Sequence, residues 1–163
     1  MRIAIVSVIE EVISKLYELL RNVPSVNLTY IVDIYAHLIT LDSGYLIPFS
    51  FNILISFDEL EALRFSILVR PKGYILVFRR KERENLIPPY DVYPREELIV
   101  GSLSELYNVK LVDISSDDSC IAYTIGLVAA FKNLDMAYFS KVSNYDVLEQ
   151  GYRLARALLH EIE

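Results

Sequence analysis

The chain has 163 residues, 53% hydrophobic and 23% charged, with a formal net charge of −6; the length reads as one domain, residues 1–163, and a mean hydropathy of +0.33 calls for a well-filled core or a sizeable buried interface. The acidic balance argues against a nucleic-acid partner, whose affinity would come from phosphate neutralisation by Lys and Arg. The single cysteine, Cys120, excludes a disulfide framework and a Cys-based zinc or iron–sulfur site, and no apolar run approaches the roughly 18 residues that a bilayer span needs.

Arg2–Val8 is a short β-branched run with the pattern of a central strand. Glu10 and Glu11 follow with no small-residue cleavage site, so the N-terminus does not read as a signal peptide and the expected location is the cytoplasm. Ile9–Asn22 carries Ile9, Val12, Ile13, Leu16, Leu19 and Leu20 at helical spacing, and Pro24 ends the helix. Val26–Ile34 is a second strand. Tyr35–Phe51, with a turn at Ser43-Gly44 and a break at Pro48, predicts a short hairpin or an irregular crossover.

Asn52–Phe57 is the third main strand and runs straight into an acidic helix start. Asp58 is the predicted cap, Glu61 occupies the capping-box position, and Leu60, Leu63 and Ile67 form the predicted apolar stripe. Glu61 and Arg64 are spaced to pair on the surface. Lys72-Gly73 predicts a turn before a fourth strand, Tyr74–Arg79. Lys81–Pro94 reads as a charged, proline-rich loop, with Pro94 opening a helix to about Leu106. Val109–Ile114 is the fifth strand.

Ser115 is the predicted cap of a helix that is apolar on nearly every side from Ile121 to Phe131, as in a core or an interface. Gly126 within it permits close approach of a neighbour. The last helix, Tyr145–Ile162, starts after Ser143 or Asn144 and carries Val147, Leu148, Leu154, Leu158 and Ile162. Strands alternating with helices predict an α/β fold, with a mainly parallel or mixed sheet of about five or more strands covered by helices.

A phosphate site after the first strand would need a glycine-rich turn. Val6–Glu11 has no glycine and places two acids where an anion would sit. The cluster Arg79–Arg83 is interleaved with acid and reads as a solvated loop. His37 reads as a structural histidine, and His160 complements a helix C-terminus. Asp58, Glu59 and Glu61 could do acid–base work, but carboxylates also simply complement a helix N-terminus. The same holds for Asp113, Asp117 and Asp118, which lack EF-hand spacing. Cys120 reads as a small buried residue, since Asp117 and Asp118 oppose thiolate formation. These patterns assign no catalytic residue, no metal ligand and no cofactor contact.

From about Asn52 to the C-terminus, the chain resembles the gamma-type subunit or domain of 2-oxoacid:ferredoxin oxidoreductases, nearest in flavour to the beta subunit of indolepyruvate ferredoxin oxidoreductase. The residues that carry the resemblance are NILISF at Asn52–Phe57 and the acidic DELEALR at Asp58–Arg64. The RPKGY turn at Arg70–Tyr74, Ile87-Pro88-Pro89, and Tyr93-Pro94 follow in order. Next come the small-residue helix Thr124–Ala130 around Gly126 and the final helix, with its mid-helix glycine, in Asn144–Ala155. Asp58, Glu59, Glu61, Arg64 and Gly126 are therefore the candidate interface or family-motif residues. The departures lie in the N-terminal third. Val6–Glu11 stands where the family has a GxGGQG-like loop, and Tyr35–Gly44 stands where it has an arginine–glycine–glycine segment.

The resemblance implies a domain of the pyruvate:ferredoxin oxidoreductase gamma type that supplies scaffold and interface. Thiamine diphosphate and the iron–sulfur clusters would belong to partner subunits. An isolated chain of this kind should expose an apolar patch. The alternative is a diverged, stand-alone homo-oligomer that binds a small ligand or acts structurally. A cleft at the C-terminal strand ends would favour that alternative.

Overall fold

The computed structural model describes residues 1–80 and 96–162. The first strand, β1 (Ile3–Ser7), is buried along its whole length, because helices cover both faces of the sheet at its position. Helix α1 (Glu10–Leu20) returns along one face and buries Val12, Ile13, Leu16 and Leu20, while Leu19 points to solvent. The chain then forms a hairpin, β2 (Leu28–Val32) and β3 (His37–Leu41). The stretch Tyr35–Phe51, read as a short hairpin or an irregular crossover, thus supplies the second strand of a hairpin with β2, and that strand also pairs antiparallel with β1.

Strand β4 (Phe51–Ser56) pairs parallel with β1. Helix α2 (Glu59–Phe65) and a single 3₁₀ turn lead into β5 (Val69–Arg80). Lys72-Gly73 does not separate a turn from a strand. It lies inside β5 as an irregularity where the register with β4 shifts, and Lys72 takes φ 62° there. A Cβ on Gly73 would stand 2.9 Å from the carbonyl oxygens of Arg70 and Asn52, so the kink needs a residue without one.

Helix α3 (Glu96–Ser104), strand β6 (Asn108–Ile114), helix α4 (Asp117–Phe131) and helix α5 (Tyr145–Ile162) complete the order. The readings made for the loop 81–94, including Pro94 as a helix opener, lie outside the described residues. Among the described residues the sheet has six strands in the order β2-β3-β1-β4-β5-β6, antiparallel on the hairpin side and parallel from β1 to β6. It is therefore mixed. The hairpin supplies the antiparallel part, since β2 and β3 are joined by a turn too short for a crossover.

Alternate residues of each strand serve two cores. Ile3, Ile5, Ile53, Ile55, Leu76 and Phe78 face α1, α4 and α5. Ala4, Val6, Leu54, Ile75 and Val77 face α2 and α3. Helix α4 is buried from Ser119 to Phe131, as its all-round apolar sequence requires. Its cap is Ser116, whose Oγ accepts from the Ser119 amide at 3.2 Å, one residue later than Ser115. Gly126 and Gly151 let α4 and α5 touch backbone to backbone. A Cβ on Gly126 would lie 1.9 Å from the Leu148 carbonyl oxygen, and one on Gly151 would lie 2.2 Å from that of Tyr123.

Candidate functional site

The four parallel strands end along one edge of the sheet, where ligands and partners of open α/β folds meet the chain. At β1 the turn is closed by its own groups. The Ile9 amide donates to Ser7 Oγ at 3.0 Å, Glu10 and Glu11 fill the first turn of α1, and Lys15 pairs with Glu11 and with Asp118. A phosphate would meet carboxylates there.

At the end of β4, Ser56 Oγ donates to the Asp58 carbonyl at 2.6 Å and receives the Asp58 amide at 3.4 Å. Asp58 Oδ1 in turn accepts from the Leu60 and Glu61 amides, at 2.8 and 3.2 Å, and so caps α2. The reciprocal half of a capping box is absent, because Ser56 already holds the Asp58 amide. Glu61 turns the other way and is 1% exposed. Arg64 Nη1 donates to its Oε1 at 2.5 Å, while Oε2 is buried with no partner among the described residues. The predicted pair thus forms, but only its Arg64 half reaches the surface, with the Arg64 side chain 39% exposed.

The predicted stripe of Leu60, Leu63 and Ile67 is also displaced. The buried residues of α2 are Glu61, Ala62 and Phe65, and Ile67 is exposed. Packing of Ala62 and Phe65 onto the sheet sets the rotation of this short helix and carries Glu61 inward with them. Burial pushes the Glu61 carboxyl above the usual carboxylate range. Arg64 opposes that shift, and the negative charges of Asp58 and Asp33 add to it. The Arg64 guanidinium also lies 4.8 Å from the centre of the Tyr35 ring, so α2 is tied to the β2–β3 turn.

Of the residues singled out in the sequence, the fold brings Asp58, Glu59, Glu61 and Arg64 together at the end of β4. Gly126 lies elsewhere, within the α4–α5 contact. Tyr35 and Asp33 join the cluster from the hairpin; neither has a neighbour in sequence that would have pointed to it. His37 Nδ1 bonds the Tyr30 hydroxyl at 2.9 Å across the hairpin. Asp113 bonds Arg79 Nε at 2.8 Å. Cys120 is fully buried.

An open cleft of about 430 Å³ lies at the end of β6, between the starts of α4 and α5. Val112, Ile114 and Val147 line it together with Ser119, Tyr123 and Gln150. None of Asp58, Glu59 or Glu61 reaches it. Among the described residues no group of His, Cys, Asp and Glu side chains is arranged to hold a metal ion, and no helix is long and apolar enough to cross a membrane.

No family model matches the sequence, and no curated protein matches it. Solved structures do. A gamma subunit of a keto/oxoacid ferredoxin oxidoreductase from Geobacter sulfurreducens aligns with 96% of this chain and 98% of its own, at 10% identity and a TM-score of 0.51. The pyruvate oxidoreductase subunit PORC of Thermotoga maritima aligns over 95% and 92%, at 9% identity and a TM-score of 0.47. The 2-oxoglutarate:ferredoxin oxidoreductase of Magnetococcus marinus aligns over 96% of this chain, at 14% identity and a TM-score of 0.48, and this chain spans 30% of that polypeptide. The α/β fold of this chain is that of the Geobacter gamma subunit, over nearly the full length of both.

Proposed function

We propose that this chain is an accessory, gamma-like subunit of a 2-oxoacid ferredoxin oxidoreductase of the indolepyruvate type, working as one domain in the cytoplasm and contributing scaffold and interface rather than catalytic groups. The end-to-end fold correspondence with the Geobacter gamma subunit carries this reading. The surface supports it. Val8, Val32, Ile34 and Tyr35 are exposed at the C-terminal edge, Ile34 at 89%, and Tyr45, Phe49, Ile67 and Leu106 are exposed elsewhere. Apolar side chains in such groups mark surfaces that another chain covers.

Asp58, Glu59 and Arg64 lie on the same edge as the first group and are the proposed interface residues, with Glu61 buried behind Arg64 and Gly126 taken up by the α4–α5 contact. Thiamine diphosphate and iron–sulfur clusters would belong to partner subunits. A cluster is held by several thiolates, and this chain has one cysteine, buried in α4.

Affinity purification of the tagged protein from its own cell extract tests the reading. Recovery of a thiamine- and iron–sulfur-containing oxidoreductase supports it. A clean monomer that captures no such partner refutes it. Self-association alone would favour the second reading, a stand-alone homo-oligomer, for which the cleft beside β6 is the supporting observation.

A further inference from the structure

The cleft at the end of β6 is lined by several polar side chains, of which Tyr123 has no hydrogen bond within the described residues. Tyr123 is 8% exposed. Its ring is held edge-on against Phe78 at 5.7 Å, and Phe78 is held in the same way against Phe57 at 5.0 Å, so an aromatic row fixes it from β4 outward. Burial alone pushes its phenol above the ordinary value, with no hydrogen bond contributing. The hydroxyl therefore remains a proton donor at physiological pH; it opens onto the cleft and has no hydrogen-bond partner among the described residues.

Ser119 lies one helical turn earlier on the same face of α4. It is 7% exposed, and its Oγ accepts from Ser116 Oγ at 3.0 Å, which leaves its own proton free to be donated. Two donors one turn apart on one wall ask for an acceptor. Gln150 on α5 offers a donor and an acceptor from the facing wall, and Val112, Ile114 and Val147 supply an apolar floor. Charge selects further. Among the described residues the lining contains no Lys, Arg or His, and its one carboxylate, Asp113, is held by Arg79, so these residues offer an anion no counter-charge. The volume falls within the roughly 300–1,000 Å³ of small-molecule sites.

We propose that the β6–α4–α5 cleft binds an uncharged small molecule with an apolar body and a carbonyl acceptor, which takes hydrogen bonds from the Tyr123 and Ser119 hydroxyls. The site lies apart from the α2 cluster, and it stands whether or not the chain joins an oxidoreductase complex.

Titration of the full-length protein with benzamide, benzoate and benzylamine, followed by backbone amide NMR shifts, tests this. Benzamide should bind in the millimolar range and shift amides of β6 and of the first turns of α4 and α5. Tyr123→Phe keeps the ring contacts and should weaken benzamide by about three- to tenfold, the range for one lost neutral hydrogen bond. Gln150→Trp, at an exposed position that tolerates bulk without disturbing the fold, should block the cleft. Benzoate and benzylamine should bind more weakly than benzamide. The proposal is overturned if benzamide shifts none of these amides, if it binds wild type and Tyr123→Phe equally, or if benzoate binds more tightly than benzamide.

Discussion

Replacing Arg64 by Ala leaves Glu61 with both carboxylate oxygens unpaired in the interior. Removing one partner of a buried pair costs about 3–5 kcal/mol when the survivor stays charged. Two features lower that figure here. Arg64 is 39% exposed on its side chain, so the pair is screened on one side. Glu61 can also escape by taking a proton. At about 1.4 kcal/mol per pH unit from its ordinary value of 4.5, the escape costs about 3.4 kcal/mol at pH 7. The native protein already bears part of that cost, because burial raises the carboxyl in the presence of Arg64. The expected loss is therefore about 2–3 kcal/mol at pH 7.

The sign with pH follows from the raised carboxyl. Between 4.5 and the folded-state value the native state holds more protons than the unfolded chain, so stability falls as pH rises through that window. Arg64→Ala lifts the folded value further and widens the window. Urea unfolding followed by circular dichroism should show a cost near 1 kcal/mol at pH 4.5, mainly from the lost stacking on Tyr35, and the full 2–3 kcal/mol only near neutrality. Glu61→Gln should remove this pH slope and, at pH 7, lie within about 1 kcal/mol of wild type. On the Gln background Arg64→Ala should cost about 1 kcal/mol or less at any pH. An Arg64→Ala penalty equal at pH 4.5 and pH 7, or an undiminished slope in Glu61→Gln, would refute the reasoning.

Gly126→Ala drives a methyl group into the Leu148 carbonyl and Gly151→Ala drives one into that of Tyr123. Each should cost at least about 1–3 kcal/mol by urea denaturation, since overpacking outweighs the gain of nearly 1 kcal/mol in helix propensity. Asp58→Ala removes the two amide bonds that cap α2 and should lower stability by about 1 kcal/mol, seen as a fall of about 2–4 °C in Tm. Lys72→Gly relieves a left-handed residue at the β5 kink and should raise stability by about 0.5–1 kcal/mol in the same assay.

The elements that were legible in the sequence are those whose burial is decided along the chain itself. Tyr145–Ile162 matches α5 because its apolar residues recur at helical spacing with polar residues between them. Residues 121–131 read as a buried helix because no polar face exists to expose. Residues whose role depends on contacts from distant elements were misplaced. Three leucine and isoleucine positions gave α2 the wrong rotation, since a seven-residue helix has too few turns for spacing to outvote the packing of Ala62 and Phe65. Glu61 then looked like a surface carboxylate. Its burial and the stacking of Tyr35 on Arg64 depend on the hairpin, which has no local sign of where it packs.

The same physics explains where this fold can do chemistry. In open α/β sheets the crevice beside the first strand holds a ligand when the turn that follows is free of side chains and presents amide groups. Here that turn has no glycine, Ser7 takes the Ile9 amide, and Glu10 and Glu11 occupy the place of an anion. Next to it, Glu61, Asp58 and Asp33 bring further negative charge, partly offset by Arg64. The centre of the edge is therefore closed to phosphates and carboxylates. It is nonetheless rich in exposed apolar side chains from Val8 and the hairpin, which suits a protein partner. An open cleft and hydroxyl donors coincide at β6 instead, two strands beyond β4, where the one carboxylate among the described lining residues is paired with Arg79. The arrangement separates an apolar edge suited to a protein partner from the cleft beside β6, so a variant in either should leave the other's binding intact.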